Sequence, residues 1–258
     1  MTSERWDEPA GARVGVRTRW DDCDRYGHVN NAAYVALMRA AHDAVGLRPG
    51  ELRSVEIVYR EPVPPDVMVT VDVVLLEQAA SQRRIAYTIQ VDHRPAAELI
   101  ALWEFGGPPL DADLPPADRD AGGRPFHFTH AVHSHELGPD GSARPQVILQ
   151  WLEQAVFRAA DRAGWPRERM EAAGFVTLVV GHHLILGAPA FENDELTITS
   201  RLVELRRVSG TWHHEVRAGV GTLIAADRAR GAFLDLEGRI RPAPRELLDD
   251  LLNGEPQV

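Results

Sequence analysis

Trp20-Asp21-Asp22-Cys23-Asp24-Arg25-Tyr26-Gly27-His28-Val29-Asn30-Asn31-Ala32-Ala33-Tyr34 is the stretch on which the reading of this chain turns. It places carboxylates, a His and two Asn in an irregular loop that runs directly into an apolar, helix-forming segment. Asn30 or Asn31 is a natural N-cap, because a short side-chain oxygen accepts a hydrogen bond from an amide of the first turn. Beyond the cap, the first helical amides have no intrahelical partner and carry the positive end of the helix dipole. A potential base or nucleophile therefore stands a few residues before a potential polariser of a carbonyl oxygen. Attack on an acyl group needs that pairing.

Working outward, the chain reads as a repeat. A helical segment over 31–45 puts Tyr34, Leu37, Met38 and Ala41 on one face and stops at Gly46. Strands are predicted over 55–59, 67–76, 84–92 and 99–105. In the second half, 126–136 reads as a strand, followed by the loop Leu137-Gly138-Pro139-Asp140-Gly141-Ser142. A helix over 145–163 then ends at Gly164, and strands follow over 176–186, 196–205, 211–218 and 229–236. The likeness is clearest between 62–76 and 189–205: a proline, a short turn with Asp66 or Asp194, then a long β run. Gly, Pro and Asp crowd the stretch between the halves, which marks a linker. The expected organisation is a first domain over 10–106, a linker over 107–124 and a second domain over 125–242. Each half is one strand, one helix and an antiparallel set of strands, an α+β arrangement with the helix on one face of the sheet.

Composition bounds the partners. The chain has 258 residues, 44% hydrophobic and 26% charged, with a formal net charge of -10, an ordinary globular make-up. The acidic balance argues against nucleic acid or an anionic membrane as a partner, though a local Arg cluster can still bind a phosphate. A single Cys leaves no intramolecular disulfide framework and fits a reducing cytosol. Cys23 lies between carboxylates that disfavour its thiolate, so it reads as a small filler. Residues 1–9 have no apolar leader core, and no run of 18 apolar residues occurs. The expected location is the cytoplasm.

The pattern Asp-x-x-Gly-His-Val-Asn-Asn-x-x-Tyr, preceded by Asp-Cys, resembles the signature of hotdog-fold acyl-CoA thioesterases of the hydroxybenzoyl-CoA thioesterase type. It is also similar to the corresponding motif of acyl-ACP thioesterases. The second half, with His135-Glu136-Leu137-Gly138-Pro139-Asp140 before Leu149-Gln150-Trp151-Leu152-Glu153, resembles the N-terminal hotdog of the acyl-ACP thioesterases. The order of the halves is thus reversed here. The resemblance implies a tandem double hotdog, each half an antiparallel sheet wrapped around a central helix. It also implies thioester hydrolysis without metal or organic cofactor. The carboxylate at the position of Asp24 would serve as nucleophile or as general base toward water, two routes the sequence leaves open. The backbone amide near Asn31 would polarise the thioester carbonyl, and His28 and Asn30 would position the loop, the water or the thioester. Gly27, Tyr34 and Glu136 complete the candidate substrate contacts, Tyr34 also reading as core and Glu136 as a solvated or capping acid.

Aligning the two loops on Gly27 and Gly141 sets Asp24 against Gly138 and Asn30-Asn31 against Arg144-Pro145. One working site per chain is therefore expected, at the seam between the halves, with its counterpart degenerate. Eight of the eleven His fall in the second half. His133 and His135 would share one face of a strand as a possible metal pair, but no carboxylate or Cys stands at a metal spacing, and polar packing is the alternative. The expected substrate is an acyl-CoA, or an acyl-carrier-protein thioester. A non-catalytic acyl-thioester binding module and a hotdog dehydratase are the competing classes. Two double hotdogs could still pair as a homo-oligomer.

Overall fold

The computed structural model describes residues 11–47, 50–105 and 122–253. The expected linker lies outside them except for its last residues, as do residues 1–10. The chain divides into two compact units. Residues 11–52 and 60–105 belong to the first; residues 53–59 and 122–253 belong to the second.

In the first unit the strands β1 (Ala12–Arg17), β3 (Met68–Gln78), β4 (Gln82–Val91) and β5 (Arg94–Glu104) lie side by side in that order, all antiparallel. β4 and β5 are joined through Asp92 and His93, both at positive φ, the backbone of a tight hairpin turn whose twist matches the strands. Helix α1 (Ala33–Ala44) packs on β1 and β3. It buries Tyr34, Val35, Leu37, Met38 and Ala41, the face set by the 3.6-residue period. Its last turn adds His42, stacked on Trp103 at 3.9 Å and bonded through Nδ1 to the Tyr87 hydroxyl at 2.8 Å. β2 (Glu51–Tyr59) starts in this unit, and its residues 53–59 belong to the second.

In the second unit residues 54–58 of β2 pair antiparallel with β7 (Val176–Leu186). Gly181 is required there, since a Cβ would stand 2.5 Å from the Ile57 carbonyl oxygen. Next come β10 (Thr222–Leu234), β9 (Ser209–Ala218), β8 (Glu195–Arg206) and β6 (Phe126–Ala131). Helix α2 (Pro145–Arg162) carries Pro145 in its first turn, where no intrahelical amide is lost, and ends at Gly164 with φ 78°. Short α3 (Arg167–Ala172) follows it, and α4 (Arg245–Asn253) closes the described chain. Among the described residues no helix is long and apolar enough to cross a membrane.

The strands and helices expected from periodicity are present with shifted ends. β10 begins seven residues before the expected start at 229, and α3 and α4 were not expected. The strand expected over 126–136 ends at Ala131. The chain then tightens into a 3-10 turn at Ser134–Glu136, because the Glu136 carboxylate takes the His133 amide at 2.8 Å. His133 therefore caps the turn and His135 lies within it, instead of the two sharing a strand face, their rings stacked at 5.6 Å.

Candidate active site

The loop before α1 is built by its own backbone. A 3-10 turn at Trp20–Asp22 opens it, with Asp22 accepting the Arg19 amide at 3.0 Å and pairing with its guanidinium at 2.9 Å. Cys23 and Val29 then form a bridge across a short hairpin, the Asp24 amide donating to the His28 carbonyl at 2.8 Å and the Gly27 amide to the Asp24 carbonyl at 3.1 Å. That turn requires φ 76° at Gly27, a conformation natural to glycine. The Val29 amide ties the loop to the Val63 carbonyl at 2.7 Å.

Asp24 is exposed at the head of this hairpin. Its Oδ1 accepts the amides of Tyr26 at 2.8 Å and His28 at 3.3 Å; Oδ2 takes no hydrogen bond among the described residues. One oxygen holds the turn. Asn30 closes the turn that leads into α1, its Oδ1 accepting the Ala32 amide at 2.9 Å and its carbonyl the Ala33 amide at 2.9 Å, while the N-cap position itself falls to Ala32. Asn31 therefore sits at the mouth of α1, where the helix dipole is positive. His28 is exposed. Tyr34 is 2% exposed, with its hydroxyl 3.5 Å from the Glu61 carbonyl, and burial pushes its pKa up to about 12; it packs beneath the loop. Burial, then the charges of Asp22 and Asp24, push the Cys23 thiol up, which fits a filler.

The loop of the second unit repeats this scaffold bond for bond. Leu137 bridges Ala143, the Gly138 amide donates to the Ser142 carbonyl at 2.7 Å, and the Gly141 amide to the Gly138 carbonyl at 3.0 Å. The Arg144 amide reaches the Glu136 carbonyl at 3.1 Å, as the Asn30 amide reaches Asp22 at 2.8 Å. Glu136 is thus the counterpart of Asp22. It is 7% exposed and accepts the Trp151 indole at 2.7 Å and His130 at 3.0 Å, within its own unit. Burial works against its charged form, but the His133 amide, the indole and His130 outweigh it and hold the carboxyl below its ordinary value. The candidate groups of the first loop are missing here. Gly138 replaces Asp24, and Pro145, in place of Asn31, has no N–H to offer.

Two features of the second unit escaped the sequence reading. One is an apolar pocket between α2, α3, α4 and the sheet, lined among others by Val156, Ala160, Trp212, Ala229, Gly231 and Leu247. The other is a strip of buried polar side chains on adjacent strands. His182 Nδ1 meets Asp227 Oδ2 at 2.9 Å, with Glu153 Oε1 3.6 Å from its Nε2, and Ser200 Oγ meets His214 Nδ1 at 2.8 Å. Burial alone would lower the His182 pKa; the charge and hydrogen bond of Asp227, with Glu153 behind, push it up to about 10. Burial takes His214 down to about 4. A signal was present: polar residues inside otherwise apolar strands. Among the described residues no group of three metal-ligating side chains stands together.

Residues 7–104 match the family described as acyl-ACP thioesterase C-terminal domain, and residues 145–251 match the thioesterase-like superfamily. An acyl-ACP thioesterase from Bacteroides thetaiotaomicron has a similar structure, with TM-score 0.64 at 10% identity over 87% of this chain and 98% of that one. The tesB protein MAP1729c of Mycobacterium avium subs paratuberculosis gives TM-score 0.63 at 12% identity, over 86% of this chain and 92% of that one. The 12:0-ACP thioesterase from Umbellularia californica gives 0.62 at 9%, over 86% and 94%. No curated protein matches the sequence. Both halves match thioesterase-family models, and the chain has the tandem double-hotdog fold. Thioester hydrolysis is the chemistry these matches support.

Proposed function

We propose that the chain hydrolyses an acyl-CoA to the free acid and CoA at the first loop. The observation that carries this is the contrast within Asp24: Oδ1 is bound by two turn amides while Oδ2 is open, directly ahead of the mouth of α1. Oδ2 would take a proton from the water that attacks the thioester, or would itself attack to give a mixed anhydride that water opens. On either route negative charge gathers on the carbonyl oxygen, where the Asn31 amide and the helix dipole offset it. The tetrahedral intermediate then expels the CoA thiolate. His28 and Asn30 position the loop and the incoming groups, and Gly27 lets the backbone come close. We assign Tyr34 and Glu136 to support of the two loops rather than to substrate.

A carrier protein in place of CoA is the second reading, favoured by the family matched over 7–104. An acidic chain with one free Cys fits work in the cytosol. The test is thiol release from matched acyl-CoA and acyl-carrier-protein panels by wild type and Asp24→Asn. Release from acyl-CoA that collapses in the folded variant supports the proposal. Release only from the carrier protein transfers it to the second reading, and unchanged release by Asp24→Asn overturns it.

A further inference from the structure

The polar strip of the second unit continues the face that lines the pocket, one step beyond the last lining residues. Along β10, Phe233, Gly231 and Ala229 line the pocket and Asp227 follows Ala229 on the same face, two residues further in. Along β9 the pocket residues Gly210 and Trp212 are followed by His214, and along β8 Leu202 leads to Ser200. On α2 Phe157, Ala160 and Val156 line the pocket, with Glu153 one turn before them. On β7 Val179, opposite Gly231, leads to His182, which lies opposite Ala229. All five elements run from apolar to polar in the same direction.

The two ends differ in exposure as well. Phe157 is 46% and Leu178 50% exposed at the outer end, while Asp227 and His214 are fully buried and Glu153 is 9% exposed. Two features open the floor between them. Gly231 and Gly210 face each other across β10 and β9, where a Cβ on Gly231 would meet nothing nearer than 3.7 Å, and β10 changes register beside Gly231. At the inner end Glu153 Oε1, His182 Nε2, Asp227 Oδ1 and His214 Nε2 have no hydrogen-bond partner among the described residues, Glu153 Oε1 and His182 Nε2 standing 3.6 Å apart as an ion pair. Buried polar atoms left unmatched carry a desolvation cost that a ligand hydroxyl, able both to donate and to accept, would offset.

We infer that this pocket takes an acyl chain whose far end carries a hydroxyl, which donates to Glu153 or Asp227. This rests on the reading of the chain as an acyl-thioester enzyme and names its substrate class. A plain methyl end would leave the acceptors unmatched, and a carboxylate end would meet two carboxylates against the one imidazolium of His182.

Calorimetric titration of the full chain, wild type and Asp24→Asn, with free acids of about six to twelve carbons tests this, each acid compared with its ω-hydroxy and dicarboxylic counterparts. At the length that reaches the strip, the ω-hydroxy acid should bind about tenfold tighter than either. Glu153→Gln should reduce that preference several-fold. Gly231→Val should weaken all of them. Equal or tighter binding of plain acids at every length overturns the inference, as does binding that Gly231→Val leaves intact or no binding at all. If Asp24→Asn binds normally and has lost turnover, both readings stand. If it binds with the hydroxyl preference but still turns over, only the assignment of the hydrolytic site fails.

Discussion

The loops at 19–31 and 133–145 share their 3-10 turn, bridge, positive-φ glycine and capping acid, yet only one carries a carboxylate at its head and an amide at its helix mouth. Backbone hydrogen bonding alone is enough to build the scaffold, so two sequences with few residues in common converge on it. The chemistry we propose rests on two positions, Asp24 against Gly138 and Asn31 against Pro145, at which the shared backbone accepts either residue. On that proposal, fold and activity are separable at single residues.

The strongest way to break the comparison is exchange of the head residues. Asp24→Asn should lower kcat by about 10²–10⁴-fold, whereas Gly138→Asp should add no turnover to that variant, because Pro145 still offers no amide. Steady-state kinetics of the single and double variants checks both. Next, Asn31→Pro transplants the second loop's proline onto the first. Proline occupies the matching position of the second loop, so kcat should fall about 10²–10³-fold with KM nearly unchanged and a proportionately smaller drop in melting temperature. A loss of Tm equal to the loss of rate would show a structural effect instead.

The buried strip sharpens the contrast through pH, since nothing like its His182–Asp227 pair is described in the first unit. His182, raised from 6.5 to about 10, contributes stability that is complete below about pH 6.5 and lost as pH rises toward 10. His214, lowered to about 4, contributes stability that is complete above about 6.5 and lost as pH falls toward 4. Tm should therefore peak near neutrality, and His182→Gln should lower the peak and flatten the alkaline limb. Thermal scans from pH 4 to 10 decide it. The smallest effect is a matched pair. Gly27→Ala and Gly141→Ala meet nothing within 4 Å, so each should cost only the strain of a positive φ, about 1 kcal/mol. Only Gly27→Ala should also reduce turnover.

Much of this was legible beforehand. Apolar periodicity located α1 and α2, glycines marked their ends, and alignment on Gly27 and Gly141 paired Asp24 with Gly138 before any bond was known. The strand expected through Glu136 was misread because nothing local distinguishes a strand from a 3-10 turn held by its own acid. The pocket and strip were illegible for a different reason. Glu153, His182, Ser200, His214 and Asp227 lie on five elements, and each alone reads as a polar interruption.

What the sequence by itself determined is local. It set the turn chemistry around Asp24, the Asn30 turn leading into α1, and the absence of a carboxylate at position 138 and of a backbone N–H at position 145, because each depends on residues a few positions apart. Tertiary structure decided the rest. Pairing of β7 with β10, β10 with β9 and β9 with β8 brought distant polar residues into one buried row, and packing of α2 and α4 over two facing glycines left an apolar pocket beside it. Burial is what turned those side chains into a shared electrostatic unit, and burial is a property that only the folded chain possesses.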